Sequence, residues 1–430
     1  MIGSPFNTAL IKTTSHKVVI PFYVYAAFSF LVATLLLLTS SGNFAGHYFH
    51  PHILAITHTM ALGWGCMVVF GASHQLVPVL IEGKLHSEKL AYATFYLAAV
   101  GIPILVAGFY VFDMGILAKV GGSLVVASVL TYLANIFFSI TESKKKNPHA
   151  TFIFYAVFWL LLTVLLGLAL VFNFTQSVFP NNSLHYLPLH AHLGIVGWFL
   201  LLVFGVGSRL IPMFLISKYT NPKLLYFICY LINAALVFYF TSFFFFDATF
   251  YVFIPIAGIL LSVVLFLYYC YHAYKKRLRR AVDEQVKISI LSIVLLLIPI
   301  VTLATVSATL ILGYGENTSL ILAYGFLIFF GWLTAIILGM TFKTLTFISW
   351  NKVYRHRSSI GKTLSPRDLF NHTVFNAMSL TYLVSLLLFT AGIILILPML
   401  LKVGAALMLL TAVLYVFNVF KVINHKALVL

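Results

Sequence analysis

Apolar runs of twenty or more residues recur along the whole chain, each long enough to cross a hydrocarbon layer of about 30 Å. Twelve are predicted, over 19–40, 52–80, 90–112, 116–140, 152–174, 187–216, 224–246, 250–272, 288–312, 319–349, 371–397 and 399–421. Charged residues make up 8% of the 430 and hydrophobic ones 62%, more apolar surface than one soluble core of this size would hide. The expected fold is therefore all-α and integral to a membrane, with twelve transmembrane helices.

A formal charge of +17 in a soluble chain would suggest nucleic acid. Here its distribution carries a different message. With twelve spans the loops alternate between two sides, and 24 of the 26 Lys and Arg fall on one of them, leaving only Lys119 and Lys402 on the other. The positive-inside rule then places both termini in the cytoplasm. The bilayer is the expected partner, and nucleic acid is not.

The spans are arranged periodically. Gly63-Trp64, Gly197-Trp198 and Gly331-Trp332 lie 134 residues apart, and a Gly follows each Trp after seven residues (Gly71, Gly205, Gly339). Pro78 and Pro212 continue the register, and Lys89-Leu90 matches Lys223-Leu224. Three parallel four-helix repeats are expected, over roughly 19–140, 152–272 and 288–421, related by an axis along the membrane normal. The glycines permit two readings: close packing between helices, or clearance for a flat cofactor.

All nine carboxylates fall in loops or at span ends, so none is available for a mid-membrane proton relay. Arg209 and Lys343 are expected to snorkel to the inner interface. The three cysteines, Cys66, Cys229 and Cys270, fall inside helices with no disulfide or metal-knuckle spacing. Histidine is more informative. His58 and His192 stand six residues before their Trp at matched depth near the outer face, and the third copy has Phe326 instead. Paired imidazoles on two inner helices suggest a shared metal or haem site. The competing reading is a buried His bonded to a backbone carbonyl or to Thr57 or Thr59. His52 and His190 crowd the same helix ends as further metal-ligand candidates, although His190 and His192 point about 200° apart around their helix. Met60, Met67 and Met213 are soft side chains near enough in sequence to serve copper. His74 is assigned to packing. His86, His149, His356, His372 and His425 are expected to be solvated on basic loops.

Twelve spans in three sets of four, with His-bearing second and sixth helices, resemble subunit I of the haem-copper oxidase superfamily. The stretch from His52 through His58 to Gly71-Ala-Ser-His74-Gln-Leu-Val-Pro78 is similar to divergent subunit-I-like and NnrS-type membrane proteins, which are linked to haem, copper and nitric-oxide metabolism. The resemblance implies that His58 is an axial ligand of haem b and that His192 is a copper ligand. It also implies the cytoplasmic (inner) membrane of a bacterium and a respiratory complex or cytochrome as partner. The seventh span (224–246) has no His, and the tenth has Phe326, Phe329 and Phe330 where the family takes haem ligands. Oxygen or nitric-oxide reductase activity is therefore not carried over, and no catalytic residue is assigned; any activity would be that of an oxidoreductase. The alternatives are a transporter or channel using the helix ring as a pore, and a non-catalytic respiratory assembly subunit.

Overall fold

A computed structural model describes residues 14–143, 146–246, 249–278, 282–354 and 364–427. Lys12, Lys144, Lys145, Arg279, Arg280, Arg355, His356, Arg357 and Lys362 lie outside the described residues.

Twelve helices are long and apolar enough to cross a membrane: His16–Thr39, Pro51–Leu80, Glu88–Tyr110, Ile116–Thr141, Pro148–Gln176, Ser183–Phe214, Pro222–Phe245, Phe250–Lys275, Glu284–Ile311, Thr318–Tyr354, His372–Leu395 and Pro398–Ile423. They coincide with the twelve predicted spans to within a few residues. Helix starts follow local chemistry: Ser15, Ser87, Asn147, Asn182, Asn221, Asn317 and Asn371 each accept a hydrogen bond from the first turn of the helix they cap. Large apolar side chains such as Phe28, Val120, Phe227 and Val301 remain exposed around the bundle, which is the surface a bilayer covers. The first and last spans pack together. At one end of the bundle the tenth span meets the twelfth, where Lys352 donates to the Ile423 carbonyl, and the first meets the third, where the Ser15 amide donates to Glu88. We call this the basic end and the opposite one the histidine end.

The second, sixth and tenth spans are the most deeply buried. They run 30, 32 and 37 residues, beyond the ~20 needed to cross. Each changes from α to π winding in its middle, over Thr59–Cys66, Leu193–Leu200 and Leu327–Leu333, and each π segment contains one Gly-Trp pair. A π turn widens the helix and is common where function needs a side chain re-aimed. Here it delivers three indoles, Trp64, Trp198 and Trp332, wholly into the interior.

The glycines serve packing. A Cβ on Gly71 would stand 2.7 Å from the Cβ of Phe22, and on Gly205 2.5 Å from that of Phe152. One on Gly339 would meet Ser289 and the Gln285 carbonyl. Neighbouring helices fill the space these glycines leave. At Gly65 a Cβ would lie 2.9 Å from Leu333 and 3.0 Å from Phe199. Gly65, Phe199 and Leu333 each follow their Trp directly, so the three inner spans meet side by side at one level and close the centre of the bundle.

Two expectations are corrected. Lys343 does not simply snorkel, because it pairs with Asp283 at the start of the ninth span; Arg209 is exposed. His149 is not solvated: it is half-buried, and its Nδ1 lies 2.8 Å from the Ser208 hydroxyl.

Candidate functional site

His58 and His192 close the α-helical part of their spans, and π winding begins at the next residue in each case. Their local geometry is the same. His58 Nδ1 is 2.8 Å from the Leu54 carbonyl, and His192 Nδ1 is 2.7 Å from the Pro188 carbonyl. A carbonyl only accepts, so Nδ1 carries the proton in both rings and Nε2 presents its lone pair. The backbone-carbonyl bond expected for a buried His is present at Nδ1 in both rings, and it leaves Nε2 as an acceptor.

The two rings belong to different groups. His58 faces His190, with ring centroids 6.3 Å apart and planes 18° from parallel. His190 is tethered in the same way, its Nδ1 lying 3.1 Å from the Thr163 carbonyl. Neither Nε2 has a hydrogen-bond partner among the described residues. Phe109 packs against His58 at 4.4 Å between centroids. Gly167 makes room for His190, since a Cβ there would stand 2.7 Å from Cε1.

His192 instead receives the Tyr324 hydroxyl at Nε2, 3.1 Å away, and its ring lies 5.6 Å from that of Tyr239. Tyr324 occupies the position 134 residues after His190. The same rule therefore holds at two interfaces: the residue six before a Trp meets the residue eight before the next Trp. Six residues before Trp332 stands Phe326, which stacks on Phe330 and Phe389.

A pairing of His58 with His192 assumed that equivalent residues meet at one centre. The second span instead meets the sixth through His58 and His190, and the sixth meets the tenth through His192 and Tyr324, so His190 and His192 serve different neighbours. The angular offset of His190 from His192, legible in the sequence, already assigned them to different flanks.

His52 stands apart. Its Nδ1 lies 3.0 Å from the Asn43 amide nitrogen and 3.1 Å from Ser40 Oγ, and its ring stacks on Tyr110. With an amide donor at Nδ1, the proton sits on Nε2 and the neutral ring has no free lone pair. Met60 and Met67 are buried, whereas Met213 is exposed. His74 is enclosed between Phe22 and Tyr132. Among the described residues no three His, Cys, Asp or Glu side chains converge as a metal site would require.

The indoles form a second relay. Trp64 Nε1 donates to Thr334 Oγ1 at 3.3 Å, and Trp198 Nε1 to Cys66 Sγ at 3.2 Å. Thr334 stands two residues after Trp332, and Cys66 two residues after Trp64. Trp159 and Trp350 are also partnered, through Asn233 and the Leu364 carbonyl. Trp332 Nε1 alone of the five indole nitrogens is buried without a partner, because the corresponding position holds Leu200.

No protein-family model and no curated protein matches this chain.

Proposed function

We propose that this is a haem- or copper-binding membrane protein in which His58 and His190 hold the iron or copper between them. We further propose that its three four-helix units are parallel repeats related to haem-copper oxidase subunit I, and that it serves respiratory or nitric-oxide metabolism in a bacterial inner membrane. The observation that carries this reading is the pair of tethered imidazoles. Metal–nitrogen bonds are about 2.0–2.1 Å long, so two imidazoles that share one metal atom would have to stand within several ångströms of each other. The centroid separation is 6.3 Å.

If His58 and His190 hold a metal, their two imidazole nitrogens would suit haem iron or copper, which accept imidazole ligands. They do not suit the closed four-ligand set of structural zinc. When bound, iron or copper supplies one-electron chemistry. The protein's part is to fix the ligands: the Leu54 and Thr163 carbonyls hold both tautomers, and Phe109 covers one ring against water. Among the described residues, Lys119 and Lys402 aside, the cations lie toward the basic end, and by the positive-inside rule the pair would lie near the outer face. A cytochrome or respiratory complex on that side is the proposed electron partner.

Closure of the bundle centre at Gly65, Phe199 and Leu333 favours this reading over a pore through the inner helices. The test is iron and copper analysis with a visible spectrum of the purified protein. About one iron or copper per chain is expected, and a folded, colourless, metal-free protein refutes the reading.

A further inference from the structure

Between the sixth and tenth spans lies a second feature, separate from the His58–His190 pair and not dependent on it. A partly open cavity of about 80 Å³ is walled by His192, Leu200, Tyr239, Tyr324 and Trp332 together with apolar side chains of the eighth and ninth spans. At ~10–15 Å³ per water-sized body it has room for roughly six, the bulk of a single substituted ring. Water is a poor occupant, because each molecule needs two to four polar partners and this wall is almost wholly apolar.

Its few polar groups are specific. The Tyr324 proton is committed to His192 Nε2. The Tyr239 hydroxyl makes no hydrogen bond among the described residues, and the Trp332 N–H is the orphan of the indole relay. Burying a donor without a partner costs about 1–3 kcal/mol, so an orphan beside a cavity is a place where an acceptor is missing. The seventh and tenth spans run in opposite directions, and side chains lean toward the amino end of their own helix. Tyr239 and Trp332 therefore lean toward each other across the cavity.

Access is built from the ninth span. Its α winding breaks at Leu296, three residues before Pro299, where a proline removes one backbone hydrogen bond and clashes with the carbonyl four residues back. Leu296 and Ile300 line the cavity, while Ile298 and Val301 on the same span are exposed where the bilayer lies.

We propose that this cavity binds a neutral, membrane-soluble ring bearing carbonyl oxygens, of the quinone type. The Tyr239 hydroxyl and the Trp332 N–H donate to those oxygens, the latter once the Leu200 side chain swings aside. The site has no charged group to hold an anion or cation, and its two unused groups are donors matched to acceptor oxygens.

The test is titration of the full-length protein in detergent micelles with duroquinone and with durene, the same methylated ring without carbonyls. Duroquinone is expected to bind saturably, one per chain, about tenfold more tightly than durene. Tyr239→Phe and Trp332→Phe should each weaken duroquinone about five- to tenfold, the worth of one hydrogen bond, and Tyr239→Phe, which keeps the shape of the wall, should leave durene unchanged. Should Trp332→Phe fail to fold, Tyr239→Phe carries the test. Equal binding of the two rings, or indifference to Tyr239→Phe, overturns the proposal. Displacement of duroquinone by added phosphatidylethanolamine in proportion to its mole fraction would assign the donors to a lipid ester and also overturn it. A His58→Ala protein should bind duroquinone normally, which separates failure here from failure of the metal site.

Discussion

His58 and His190 meet ring to ring, 6.3 Å between centroids, each with Nδ1 tied to a carbonyl of its surroundings. One ring belongs to the second span and the other to the sixth, 132 positions later in the sequence. Both are aimed by backbone contacts that only a protonated Nδ1 makes, so the nitrogens left over share one chemical state.

The clearance for His190 comes from Gly167, and Gly167→Ala tests it. The new methyl would stand 2.7 Å from Cε1 and 3.5 Å from Nε2. The ring must turn away, at an overpacking cost of about 1–3 kcal/mol. Thermal unfolding should shift down by that amount, and bound iron or copper should fall together with it.

Two glycines of the deeply buried spans differ sharply in what surrounds them. Gly205→Ala would place a Cβ 2.5 Å from that of Phe152 and should cost about 1–3 kcal/mol. Gly325→Ala has nothing within 4 Å to meet. It should be neutral or slightly stabilising, since alanine is the better helix former by about 1 kcal/mol. Denaturation midpoints of the two variants in one detergent read the contrast.

Thr334 serves two groups, accepting from the Trp64 indole and donating to the Phe329 carbonyl five residues back. Thr334→Val removes both bonds at nearly constant volume and should destabilise by about 1–3 kcal/mol. Cys66→Ala strips the corresponding acceptor from Trp198, but a thiol accepts weakly, so the loss should be nearer 1 kcal/mol. The order of the two midpoints is the readout.

At the basic end, Asp368 accepts from the Ser365 amide and hydroxyl. These bonds, the hydroxyl's first, hold its carboxyl below the ordinary value of 3.8. A depressed carboxylate contributes stability above its unfolded pKa and loses it as pH falls through the lower folded value. Protection of the Ser365 amide against hydrogen exchange should therefore persist through pH 3.8 and disappear only in stronger acid. In Asp368→Asn that acid step should be absent.

Twelve spans and the burial of the Trp-bearing helices were legible because apolar length and the 134-residue register are local properties of the string. The π turns were not, since the segments Thr59–Cys66, Leu193–Leu200 and Leu327–Leu333 share little beyond Gly-Trp, and winding depends on what packs around them. His58 and His192, singled out for their shared place six residues before a Trp, make the same Nδ1 contact to a carbonyl four residues back. Their partners were not legible: which flank of a helix meets which neighbour is decided by packing between spans far apart in sequence. His190 and Tyr324 share a register position that could have been noticed, because two polar rings recur eight residues before Trp198 and Trp332. The Asp283–Lys343 pair was hidden for the same reason, with 60 residues separating its members.

The most direct measurement is the iron and copper content, with the visible spectrum, of His190→Ala beside His192→Phe, both purified as folded protein. The account predicts loss of metal in His190→Ala and retention in His192→Phe, whose imidazole is already engaged by Tyr324. Retention in the first, or loss in the second alone, would contradict it.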